Sequence, residues 1–179
     1  MKERKSQPSR GARPVATIAE GNRRLLALAK LLDKLPPDRF DYRQWVGDDW
    51  KGKPDLSCGA PACALGWATT MPKLRALGLR LVRSSGFGSY VTLGRSRAVC
   101  DYEEVGHSLR VACTVFCLKE QEAILLFVPR DDIFRLRSAK PGARATAQEV
   151  AAHIRNFVVK RRSKAATLPS RRDRRESST

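Results

Sequence analysis

A chain of 179 residues, 42% of them hydrophobic, is long enough for one domain with a substantial core. No run approaches the roughly 18 apolar residues that cross a bilayer, and Met1 to Ser6 has no secretory apolar stretch, so a cytoplasmic protein with no membrane partner is expected. Five cysteines without such a signal argue for reduced thiols rather than a disulfide framework, and a formal charge of +17 points to anionic partners.

The excess charge gathers at the ends. Residues 1–14 carry a net +4 and residues 160–179 a net +6. Both stretches are rich in Ser, Pro and Arg, a composition that resists folding. The expected organisation is therefore a basic disordered arm (1–14), a globular domain (15–159) and a basic disordered tail (160–179). Nucleic acid or another polyanion is the partner this charge suits, because Lys and Arg release counterions from phosphate without reading sequence. An Arg-biased composition with solvated ends would give the same charge with no partner.

After the arm, Thr17-Ile18-Ala19-Glu20 has the form of a helix capping box, with Asn22 as a second candidate cap. Leu25, Leu28, Leu32 and Leu35 then follow the helical period until Pro36-Pro37. Residues 38–57 hold Phe40, Tyr42, Trp45 and Trp50 among turn formers, which reads as a folded loop packed on the core. A base-stacking platform is the sharper alternative, but five carboxylates in the same stretch would repel phosphate.

Cys58 to Pro72 (CGAPACALGWATTMP) is the distinctive stretch. Gly59 offers a flexible corner, Pro61 suits a first helical turn, and Pro72 ends the pattern. Small residues at Ala62, Cys63, Ala64, Gly66 and Ala68 permit close packing, with Leu65, Trp67 and Met71 as bulk. Leu77 to Val82 and Tyr90 to Leu93 read as strands of a hairpin. Its Gly86-Phe87-Gly88 loop lacks the third glycine, the Lys-Ser or Lys-Thr and the helix that a phosphate loop needs. Val105, Leu109, Ala112 and Phe116 mark a further helix, and Glu120 to Val128 another. A DNA-reading helix-turn-helix is disfavoured, because the second helix opens with Glu120-Gln121-Glu122 and has no Lys or Arg. Ile133, Phe134 and Leu136 anchor an irregular basic segment, and Thr146 to Glu149 caps a last helix with Val150, Ile154, Phe157 and Val158 on its apolar face.

Leu35-Pro36-Pro37, Phe40-Asp41, Trp45, Cys58-Gly59 with Cys63, Gly66 and Trp67, and later Phe116, Leu118, Glu122-Ala123 and Leu126-Phe127 occur in an order that resembles a group of uncharacterised small proteins of bacteria and their phages. These share a C-G-x-x-x-C-x-x-G-W core, with Gly59, Gly66 and Trp67 as structural members. The resemblance spans residues 22–158 and implies no activity. Ala60 stands where the group tends to place a Thr or Ser cap, and Cys117 where it tends to place a helix-ending Gly.

Two chemical alternatives centre on Cys58 and Cys63. Two thiolates on a turn-helix would begin a zinc site, with Cys100, Cys113, Cys117 or His107 completing it, though the spacing is unlike paired zinc motifs. A helix N-terminus would also activate Cys58 as a redox thiol. Of the two histidines, neither His107 nor His153 stands at a spacing that demands a Cys-His pair, and the adjacent carboxylates Asp48-Asp49, Glu103-Glu104 and Asp131-Asp132 diverge in regular structure. No catalytic residue is assigned. The expectation is an α+β, mainly helical single domain of four to five helices with a small antiparallel hairpin. It would serve as a non-catalytic binding module, with Lys160, Arg161, Arg162, Lys164, Arg171, Arg172, Arg174 and Arg175 contacting phosphate. A thiol or zinc protein, and a protein-interaction module using the surface around Trp45 and Trp50, are the alternatives.

Overall fold

A computed structural model describes residues 16–42, 51, 56–83, 89–94, 104–128 and 145–166. Among them are six α-helices and one two-stranded antiparallel sheet, the mainly helical α+β arrangement expected, with more helices than the four to five counted from sequence. Trp45, Trp50, the Gly86-Phe87-Gly88 loop, Cys100, the anchors Ile133, Phe134 and Leu136, and Arg171, Arg172, Arg174 and Arg175 lie outside the described residues.

The first helix, α1 (Ile18–Leu32), starts where its cap predicts: Thr17 Oγ1 accepts the Glu20 N–H at 3.2 Å. Asn22, the second candidate cap, lies inside the helix and is buried. Leu25, Leu28, Ala29 and Leu32 form the buried stripe, and Leu35 is buried beyond it. The helix stops at Asp33, and Pro36 leads into a 3₁₀ turn over Pro37–Arg39.

Two short helices follow. All five residues of α2 (Ala64–Ala68) are buried, as the small side chains of the motif allow. Pro61 precedes the helix instead of entering its first turn. Pro72 does not end the pattern; it opens α3 (Pro72–Ala76), the helix not foreseen, at a position where its missing N–H has no intrahelical partner to lose. Gly78, at φ +94°, then turns the chain into the sheet. Strands β1 (Leu79–Arg83) and β2 (Ser89–Leu93) pair in register from Leu79↔Leu93 to Arg83↔Ser89. β1 starts two residues later than expected because Leu77 still has helical dihedrals at the end of α3.

β2 lies against α4 (Glu104–Phe116), where Ser108 Oγ accepts the Val91 N–H at 3.0 Å and the Tyr90 ring meets His107 edge-on at 6.0 Å. Cys117 ends α4 in the left-handed region (φ +52°), and the Leu118 N–H reaches back to the Cys113 carbonyl at 3.0 Å. This is a Schellman-type stop built on a non-glycine residue. The next helix, α5 (Glu120–Phe127), opens with the Glu122 carboxylate accepting the Lys119 N–H at 2.8 Å, and Phe127 stacks on Phe116 at 5.4 Å.

The longest helix, α6 (Ala147–Ala166), begins with the predicted capping box: Thr146 Oγ1 accepts the Glu149 N–H at 3.2 Å while the Glu149 carboxylate accepts the Thr146 N–H at 2.8 Å. It runs antiparallel to α1. Gln148 reaches the Leu35 carbonyl, Arg155 pairs with Asp33, and Arg161 reaches Asn22. Val150, Ala151, Ile154 and Val158 are buried and Phe157 is half-buried. The helix continues through Ala166, so residues 160–166, assigned from sequence to the disordered tail, are helical. They contain no Gly or Pro, and their Lys, Arg and Ala residues favour helix and suit its negative end.

Candidate functional site

The Cys58–Trp67 motif is built around two backbone corners. Leu56 is fully buried at φ +55° and Gly59 sits at φ +93°, closing a turn through the Gly59 N–H to the Leu56 carbonyl at 3.3 Å. Arg39 secures this turn from outside the motif: its Nη2 donates to the Leu56 carbonyl at 2.6 Å and its guanidinium lies 5.2 Å from the Trp67 ring centroid. In return, the Trp67 indole N–H donates to the Arg39 carbonyl at 2.9 Å, and a parallel bridge joins Phe40 to Ala62. Gly66 is buried on α2, where its carbonyl accepts the Thr69 hydroxyl at 2.7 Å. Trp67 and Gly66 are thus structural parts of the turn, and Arg39, which sequence reasoning did not select, holds them.

Cys63 supplies the helix cap that Ala60 cannot: its Sγ accepts the Gly66 N–H at 3.5 Å. Burial pushes this thiol up to about 11, outweighing the backbone N–H groups that favour the thiolate. At neutral pH it is a protonated, enclosed thiol, poorly placed to act as a nucleophile. Cys58, five residues earlier, is half-buried in the turn that precedes α2 and so does not stand at a helix N-terminus. Burial, reinforced by Glu120, likewise raises the Cys113 thiol. Among the described residues, no group of three or more His, Cys, Asp or Glu side chains is placed to hold a metal ion. Tyr42 is pushed above its ordinary range, mainly by burial, and donates to the Val128 carbonyl at 3.1 Å.

The basic end of α6 divides into two kinds of residue. Arg161 turns inward: it donates to the Cys117 carbonyl, reaches Asn22 Oδ1 at 3.3 Å, lies 3.7 Å from the Glu122 carboxylate and covers the Phe157 ring at 5.8 Å. It therefore joins α6 to α1 and satisfies a carbonyl at the left-handed end of α4. Lys160, Arg162 and Lys164 are exposed, and among the described residues no carboxylate pairs with Lys160 or Arg162. Of the eight basic residues selected from sequence, three thus face solvent on one helix end, one is structural, and four lie outside the described residues. The inward role of Arg161 had no local signal, since its partners stand 139 and 44 residues away in the chain.

No protein-family model matches the chain, and neither does any curated protein or solved structure. Among the described residues no helix is long and apolar enough to cross a membrane.

Proposed function

We propose that this protein is a non-catalytic binding module that engages nucleic acid, or another polyanion, through the exposed basic end of α6 and the basic residues that follow it. The observation that carries this reading is the solvent-facing group Lys160, Arg162 and Lys164, placed past Val158, the last fully buried residue of the helix among the described side chains. A rigid helix presents these cations at fixed spacing without the ordering cost a free tail would incur. Each phosphate they neutralise releases counterions, so binding is steep in salt and indifferent to sequence.

The test is the salt dependence of binding to labelled mixed-sequence DNA and RNA, using the full chain and its K160Q/R162Q/K164Q variant. Arg161 is left intact because it supports the fold. The reading requires weaker binding and a shallower salt slope in the variant; an unchanged slope contradicts it.

A further inference from the structure

An open cleft of about 540 Å³ lies between α3 and β1, lined by Thr69, Pro72, Arg75, Ala76, Leu79, Arg80 and Leu81. Its size falls within the range of small-molecule sites. Thr69 is buried and its hydroxyl is committed to the Gly66 carbonyl at 2.7 Å, so the polar character of the cleft comes from the two arginines. Arg75 comes from the last turn of α3 and Arg80 from the second position of β1. Both are exposed, and among the described residues neither is paired with a carboxylate. Every other arginine whose side chain is described, except Arg110 and Arg162, donates to a carboxylate or a carbonyl.

Two guanidinium groups that line one cleft, neither with a carboxylate partner among the described residues, are unfavourable to each other and favour an anion between them. Pro72 and Ala76 supply an exposed uncharged surface beside those charges, while Leu79 and Leu81 turn into the core. A phosphate ester has this division, with a doubly hydrogen-bonding anionic group on one side and a sugar face on the other. A second copy of the chain is a poor occupant, because a protein of net charge +17 would bring arginines against arginines.

From this we infer that the α3–β1 cleft is a nucleotide-phosphate site, with Arg75 and Arg80 holding the phosphate and the exposed Pro72–Ala76 surface of α3 receiving the sugar. The inference rests on the polyanion reading above and adds to it a contact made by the folded domain. The phosphate comes from a nucleic-acid strand or from a free nucleotide.

The experiment measures binding of a labelled mixed-sequence single-stranded DNA to the full chain across a salt series, for the wild type, R75Q/R80Q and K30Q/K34Q. The last variant removes the same charge from exposed lysines away from the cleft. R75Q/R80Q is expected to weaken binding about tenfold and lower the salt slope by about 1, since each phosphate contact on a single strand contributes roughly 0.7. K30Q/K34Q should change both much less. Displacement of the strand by AMP from wild type, but not from R75Q/R80Q, would identify a single nucleotide as sufficient; strand binding resistant to AMP would identify the polymer. Equal effects of the two variants would overturn the cleft assignment while leaving the polyanion reading in place, as would displacement by polyglutamate but not by phosphate polymers. Failure of the wild type to bind any strand would remove both. Because Arg75 and Arg80 are exposed and have no carboxylate partner among the described residues, thermal unfolding of R75Q/R80Q should match wild type.

Discussion

Gly21 offers the sharpest test of the packing. It lies in α1 against the end of α4, and a Cβ built on it would stand 2.0 Å from the Phe116 carbonyl oxygen, 2.6 Å from its carbon and 3.1 Å from Cys117 Cβ. Real Cβ atoms essentially never stand within 3.0 Å of a non-bonded heavy atom, so Gly21→Ala must drive the two helices apart by about 1 Å. Both obstructing atoms of Phe116 are backbone, which no rotamer change can move. A gap of that size forfeits about a quarter to a half of each dispersion contact along the seam, where Leu25 and Phe116 are fully buried. A backbone clash this close puts the overpacking cost at the upper end of its usual range, about 3 kcal/mol, and the better helix propensity of alanine returns about 1 kcal/mol. The expected net loss is about 2 kcal/mol, a fall of about 1 M in urea midpoint at a typical slope. Gly106→Ala is the matched control: Gly106 lies in α4 with nothing among the described residues within 4 Å of its would-be Cβ, so the same change should stabilise by about 0.5 to 1 kcal/mol. Equal effects of the two substitutions, or a stable Gly21→Ala, would refute the close approach of α1 and α4.

Three further outcomes are expected. Cys63→Ala should cost about 1 kcal/mol through loss of the α2 cap, with Cys63→Ser closer to wild type, and in the native protein Cys63 should resist iodoacetamide at pH 8 until urea unfolds the chain; rapid native alkylation would contradict its enclosure. Breaking the exposed Asp33–Arg155 pair should cost about 0.2 to 1 kcal/mol in a double-mutant cycle. The Arg155 hydrogen bonds hold Asp33 below its ordinary range, so that contribution is present above the ordinary carboxylate value and lost as pH falls through the depressed one. Burial lowers His153 below 6.5, so the unfolded chain takes up its proton first; stability should fall as pH drops from about 6.5 toward the lowered value, and H153Q should flatten that part of the profile measured by thermal unfolding.

What was legible in the sequence was local. Thr17 and the Thr146–Glu149 box announced two helix starts within four residues of chain, and the Leu25–Leu32 stripe and the Leu79, Leu81 alternation marked the buried faces of α1 and β1. Features that depend on distant partners were not legible. Cys63 is an uncommon cap, and only its geometry against Gly66 shows that the motif's second cysteine replaces the missing Thr or Ser. Pro72 reads equally as a terminator or as a first-turn residue, and the choice was made by the chain continuing into α3. Arg39 and Arg161 looked like surface charge because their acceptors, the Leu56 and Cys117 carbonyls, belong to left-handed corners that the sequence does not mark with glycine. Arg75 and Arg80 are ordinary basic residues until α3 and β1 place them on one cleft.

The division of the α6 cations is the claim on which the functional account turns, and comparing R161Q with R162Q measures it most directly. Arg161 makes charged hydrogen bonds inside the fold, worth about 1.5 to 3 kcal/mol when lost, whereas the neighbouring Arg162 is exposed without a carboxylate partner among the described residues. The account predicts that R161Q lowers the melting temperature and leaves the salt slope of nucleic-acid binding unchanged under conditions where it is folded. It predicts the reverse for R162Q: native stability and a shallower slope. If R162Q binds as wild type does, or if R161Q is as stable as wild type, the separation of structural from ligand-facing charge is wrong.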